Sequence, residues 1–409
     1  MNFDQCLDRY AELTVKVALN VQPGETVWIN TSLSQPEFVR LVVKKAYEAG
    51  AKTVHVEWTD DEVTRLRYKL APQESFGEYP QWRADAVTEV AAGGGAYLLI
   101  ESRDPDLLAG TDPARGASFQ RAAGAALAKW REYTYTDRAT WSIIAAPSVA
   151  WAEKVFPELK GDEAVRALWE AIFRATRCDQ PDPVGAWKTH NETLQKRVDQ
   201  LNAKQFKKLH YSAPGTKLTV ALPEKHVWSG GNSANAKGNA FNANVPTEEV
   251  FVSPHREGTE GYVSSTKPLS YSGNLIENFT ITFEKGRIVD FKAEKGYDTL
   301  KELIEMDEGS HYLGEAALVP HDSPISNSNL IFLNTLFDEN ASNHLAIGRA
   351  FSSAIEGGEN MSQEELAQHG LNNSLTHVDF MIGSAEMDID GELADGTLEP
   401  VFRAGNWAL

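Results

Sequence analysis

His377 and Asp379, two apart in the strand-like run Thr376-His377-Val378-Asp379-Phe380, have the types and spacing of a metal-binding pair. Successive side chains of a strand point to opposite faces. Both polar groups therefore project one way, and Val378 and Phe380 take the packed side. An imidazole supplies a neutral nitrogen ligand and a carboxylate supplies charge, a combination that suits a divalent cation. Alone, the pair is a weak signal, and a surface or hydrogen-bonded couple is the better reading of it. Further donors lie upstream: Glu248 and Glu249 in Pro246-Thr247-Glu248-Glu249-Val250-Phe251, Glu315 in Tyr312-Leu313-Gly314-Glu315, and His344 in Asp338-Glu339-Asn340-Ala341-Ser342-Asn343-His344. A co-catalytic pair of cations about 3.5–4 Å apart needs about five or six such ligands, one carboxylate bridging. Sequence spacing does not decide whether they converge. Glu248 and Glu249 also read as a helix first turn capped by Thr247, where acids favour the positive end of the dipole.

These residues need a scaffold. At 409 residues the chain exceeds one ordinary core, so two domains are expected. The first half alternates strands with helices. Strand candidates are Thr26–Asn30, Thr53–Glu57, Ala96–Ile100 and Trp141–Ala145. Helical spacing runs from Asp4 to Asn20, from Pro36 to Ala49, from Ala164 to Thr176 and from Val184 to Leu209. Such alternation predicts an α/β fold with a Rossmann-like parallel sheet over 1–210. Gly93-Gly94-Gly95 precedes a strand instead of opening a helix, and neither GxGxxG nor GxxxxGK[ST] occurs, so no nucleotide cofactor is expected. From 211 to 409 the texture is mixed α+β. A strand is expected at Leu218–Leu222 and a hairpin at Phe279–Phe283 and Ile288–Phe291, with long loops at 229–247, 253–274 and 319–329. His255, Arg256 and His321 lie in these loops, as substrate-path candidates or as ordinary surface polar groups.

The net charge of -19 repels phosphate backbones and anionic lipid, so neither nucleic acid nor membrane is an expected partner. Cys6 and Cys178 make no metal knuckle or disulfide framework. The start has no basic region followed by an apolar run, so no secretory leader is expected, and the cytoplasm is the expected compartment.

The Pro246–Phe251 segment resembles a signature of the thermophilic metalloaminopeptidases, the aminopeptidase T, aminopeptidase S and PepS group. So do Asp338-Glu339-Asn340-Ala341-Ser342-x-His344 and Thr376-His377-Val378-Asp379-Phe380-Met381-Ile382-Gly383. The likeness runs from Tyr10-Ala11-Glu12-Leu13 to Gly405-Asn406-Trp407. It takes in Ser264–Leu269 and His321–Ser328 on the way. It implies an aminopeptidase for short peptides, a homodimer, and two divalent ions (Zn, Co or Mn). The implied ligands are Glu249, Glu315, His344, His377 and Asp379. Glu315 would be the bridge and a catalytic group. Glu339 would be a further ligand or a group orienting His344. The resemblance also implies a catalytic tyrosine seven residues after His344, and this chain has Phe351, a ring without a hydroxyl. A weakened enzyme, a silent binding relative and a mononuclear iron ring-cleaving oxygenase of related fold are the alternatives.

Overall fold

A computed structural model describes residues 2–271 and 274–409. The chain forms two compact units. One holds residues up to Thr189 together with Asn232–Pro246; the other holds His190–Gly231 and Thr247–Leu409. The chain thus passes between units at 189, 231 and 246, where one cut at 210 was expected. The helix Pro183–Lys204 spans the first of these points.

In the first unit, β1 (Thr26–Ser32), β2 (Thr53–Thr59), β3 (Ala96–Glu101) and β4 (Thr140–Ala145) form a parallel sheet in the order β2-β1-β3-β4. Alternate residues Val27, Ile29, Leu98, Ile100 and Ile144 are buried, as a sheet covered by helices requires. The helix α1 (Phe3–Leu13) packs Tyr10 against Phe38 of α2 (Pro36–Glu48), with ring centroids 5.1 Å apart. Trp169 joins Phe38 at 5.2 Å. The buried Tyr10 hydroxyl donates to the Ala145 carbonyl at 3.0 Å and accepts from the Ala145 amide at 3.2 Å, tying the helix to the end of β4. The glycine run before β3 has a packing role: a Cβ at Gly95 would lie 2.5 Å from the Thr26 carbonyl.

The second unit is built from antiparallel sheets. Site strands β5 (Val250–Val252), β6 (Leu313–Leu318), β7 (His344–Gly348) and β8 (His377–Met381) belong to a five-stranded sheet, ordered β8-β7-β6-β5 and then Ser229–Gly230. A nine-stranded sheet includes Lys208–Ala213, Thr216–Ala221, the hairpin Asn274–Glu284/Arg287–Lys295, and Leu398–Arg403. One apolar core joins the two sheets. From the five-stranded sheet it takes Val250, Val252, Ala316, Leu318, Leu345, Ile347 and Phe380. By alternation the opposite face of that sheet carries Glu249, Glu315, His344, His377 and Asp379.

Three expectations change in this unit. The helix expected to reach Leu209 ends at Lys204, and Leu209 is buried in a strand. The strand expected at Leu218–Leu222 runs Thr216–Ala221. Thr247, Glu248 and Glu249 form no helix turn; they lead directly into β5.

Gly348 ends β7 opposite His377, with φ at 110°. A Cβ there would stand 2.2 Å from the Thr376 carbonyl. Gly348→Ala should therefore destabilise the protein by roughly 2 kcal/mol or more, measured by urea unfolding. A change below about 0.5 kcal/mol would contradict the close approach of these strands.

Candidate metal centre

Residues 247–249 form no helix and lead into β5, and their main chain is held from two sides. The Glu248 amide donates to Asn340 Oδ1 at 2.7 Å, and His190 Nε2 donates to the Thr247 carbonyl at 2.8 Å. Successive side chains then diverge. Glu248 faces His190, with Oε2 3.5 Å from Nε2, while Glu249 faces His344. Glu315 projects from β6 just past a register shift between Leu313 and Glu315. Ala317, Ala346 and Gly348 share its face by register, and their small size leaves room above the sheet.

The five expected residues converge. Glu249, Glu315 and His344 offer ligand atoms within 4.8 Å of one another, and so do Glu315, His377 and Asp379. Glu315 belongs to both groups, and its two oxygens face different imidazoles. Oε1 is 3.7 Å from His344 Nε2, and Oε2 is 3.2 Å from His377 Nε2. His344 Nε2 also lies 3.1 Å from Glu249 Oε2, and His377 Nε2 lies 3.4 Å from Asp379 Oδ1. Asp379 Oδ1 is buried and accepts no hydrogen bond. Donor type, count and the split of Glu315 fit two divalent cations sharing one carboxylate.

Both imidazoles are aimed by backbone carbonyls. His344 Nδ1 donates to the Glu339 and Ser342 carbonyls, at 3.0 and 3.1 Å. His377 Nδ1 donates to the Arg349 carbonyl at 2.7 Å. Each bond fixes the tautomer and turns Nε2 toward the acids, the usual support for a ligating histidine. Glu339 stands outside both converging groups. Its carboxyl is buried and meets Asn340 Nδ2 at 3.4 Å. Phe351 comes close to the centre: its ring lies 5.0 Å from that of His377 and 5.5 Å from that of Phe251.

Burial and like charge set the protonation. Burial pushes the Glu249 carboxyl up, an effect that His344 only partly offsets. Glu339 is held well above the usual carboxylate range by burial and then by Asp379 and Glu249. Burial disfavours charge on His344, but Glu249 and Glu315 outweigh it and raise its pKa well above the ordinary value. At His377, burial is likewise overcome by Asp379 and Glu315. Asp379 is lowered because His377 overcomes its burial.

His255, Arg256 and His321 are outside both donor groups. Arg256 lies over the Tyr312 ring at 4.3 Å and 3.6 Å from Glu308, and His321 Nδ1 meets Ser326 Oγ at 3.4 Å. Asn340 stands within a signature motif, but its role, like those of His190 and the Arg349 carbonyl, was not legible in the sequence, since each acts on or through main chain brought near only by folding.

Residues 3–407 match the family described as thermophilic metalloprotease (M29). The chain belongs to that family. It is 58% identical to aminopeptidase AmpS of Bacillus subtilis (strain 168) over 407 residues, which cover 100% of this chain and 99% of the relative. Aminopeptidase 2 of Geobacillus stearothermophilus is 54% identical over 402 residues, covering 98% and 97%. The solved structure of wild-type AmpT from Thermus thermophilus superposes with a TM-score of 0.94 at 42% identity, each chain covered completely. The two-part α/β architecture is therefore that of a solved M29 protein. The M29 chain has no helix, among the described residues, long and apolar enough to cross a membrane.

The sign of the pH response follows from these shifts. Raised pKa values at His344 and His377 give stability that is complete below the unfolded value of 6.5 and lost as pH rises through the folded values. Raised Glu249 and Glu339 act the same way, starting from 4.5. Asp379, lowered from 3.8, loses its contribution only in acid. The chelator-treated protein should lose thermal stability as pH rises from about 6 to about 9. A flat or rising Tm over that range would contradict this charge arrangement.

Proposed function

We propose that this M29 metalloaminopeptidase removes N-terminal residues from short peptides, using two divalent cations held by Glu249, Glu315, His344, His377 and Asp379. The observation that carries the reading is the division of Glu315, one oxygen toward each imidazole. When bound, the cations would polarise the scissile carbonyl and lower the pKa of a water to near neutrality. Zinc, cobalt and manganese all suit this donor set.

The protein's own groups do the rest. Glu249 with His344, and Asp379 with His377, hold the two ends of the centre. Glu315 joins them and is the nearest base for a proton leaving the attacking water. The proton that Glu315 takes from the water can then pass to the departing amine, and the buried Glu339 beside the centre is suited to orienting its neighbours. The acids also provide a dock for the peptide's free α-amino group. Two overlapping donor groups favour this reading over the single iron of a ring-cleaving oxygenase. A homodimer, taken from the family resemblance, and a cytoplasmic location, taken from the cysteine usage and the residues at the start of the sequence, complete the proposal.

Phe351 supports a second reading, an enzyme of reduced turnover or a silent relative, because its ring carries no hydroxyl to donate to a developing oxyanion. Metal content and hydrolysis of aminoacyl p-nitroanilides, measured on one preparation, separate these readings. Two cations per chain and cation-dependent release of p-nitroaniline are expected. One iron with oxygen-dependent turnover would overturn the proposal. So would cation binding without hydrolysis of any substrate.

Glu315→Gln should lower cation content and reduce kcat by on the order of 10³ or more, with unchanged circular dichroism. Full activity in this variant would reject the bridging role. Phe351→Tyr should raise kcat by roughly 10- to 100-fold if a donated hydrogen bond limits the reaction. An unchanged kcat in stopped-flow single-turnover measurements would show that the hydroxyl is not needed.

A further inference from the structure

Access to the centre is one-sided. Glu249, Glu315 and His344 are buried, whereas the side chains of His377 and Asp379 keep 26% and 14% of their exposure. Two phenyl rings border that open side. Phe351 lies 5.0 Å from the His377 ring, and Phe251 lies 5.5 Å from Phe351, tilted 56° to it. Both are half-buried. Phe251 alternates with the fully buried Val250 and Val252, so it stands on the ligand face of β5, two residues beyond Glu249. The Phe351 amide donates to the buried Ser253 Oγ at 3.1 Å, which ties this ring's backbone to the residue directly after β5, the strand that bears Phe251.

We propose that Phe251 and Phe351 form the wall of the subsite for the side chain of the peptide's N-terminal residue, and that the enzyme selects apolar residues there, branched aliphatic or aromatic. This rests on the aminopeptidase reading. A peptide cut at its first bond must bring its α-amino group and first carbonyl to the centre together. Its first Cβ is then held close by, beside whatever lines the accessible edge. Phenylalanine at 351 leaves that edge without a hydroxyl, so the pair presents only carbon to the incoming side chain. Burying apolar surface between the rings favours leucine or phenylalanine over alanine. A charged side chain, acidic or basic, would lose hydration against these rings.

The test compares Leu-, Phe-, Ala-, Lys- and Asp-p-nitroanilides with the cation-loaded protein. Leucine and phenylalanine should exceed alanine in kcat/KM by roughly 10- to 100-fold. In Phe251→Ala the Leu:Ala ratio should fall by about tenfold, while Phe251→Leu, which keeps an apolar wall, should retain most of it. Calorimetry of leucinol against ethanolamine, neither of which has an amide to cleave, gives a readout independent of turnover, and the Kd ratio should narrow in the same variant. An unchanged Leu:Ala ratio in Phe251→Ala, with its cations retained, would overturn the assignment. So would Lys or Asp as the fastest substrate. Loss of all hydrolysis in the parent protein would instead remove the aminopeptidase reading beneath it.

Discussion

Four carboxyl groups and two imidazoles share one buried space above the five-stranded sheet, and the second unit is organised around that crowding. Glu249, Glu315, Glu339 and Asp379 cannot all carry charge there without compensation, because burial penalises each and every neighbour adds to the cost. Without cations, protons compensate: the imidazoles are driven toward their charged form, and Glu249 and Glu339 resist ionisation. Divalent ions can replace those protons, and metal sites of this kind bind in competition with hydrogen ions. The electrostatic tension is what suits the site to its ligand.

The sheet reconciles this polar face with folding. Every second residue of β5 to β8 enters the apolar core shared with the nine-stranded sheet, so the strands are anchored from behind. On the front, Ala317, Ala346 and Gly348 keep the space between ligands clear. The segment before β5 is held by Asn340 and His190, with Glu249 facing His344 and Glu248 facing His190.

Much of this was legible in the chain itself. His377 and Asp379 show their shared face through period-two spacing. The alternating first half announces a parallel sheet, and β1 to β4 extend the expected segments by only one or two residues. Motif resemblance, not spacing, brought Glu249, Glu315 and His344 into one set, since a separation of 66 residues along the chain between the two glutamates says nothing of their distance in space. Thr247-Glu248-Glu249 misled because a cap followed by acids is a sound local helix signal, and here contacts from distant residues override it. The exchange of 190–231 and 232–246 between units was invisible for the same reason: it depends on which surfaces a loop finds after folding.

Both histidines take their orientation from carbonyl oxygens, those of Glu339, Ser342 and Arg349. The instruction that aims each ring is therefore written in main chain and is indifferent to the side chains at those positions. Side chains in the neighbourhood can therefore change without loosening the grip on the imidazoles. Reactivity and selectivity are thus free to drift separately from the architecture that gathers the ligands.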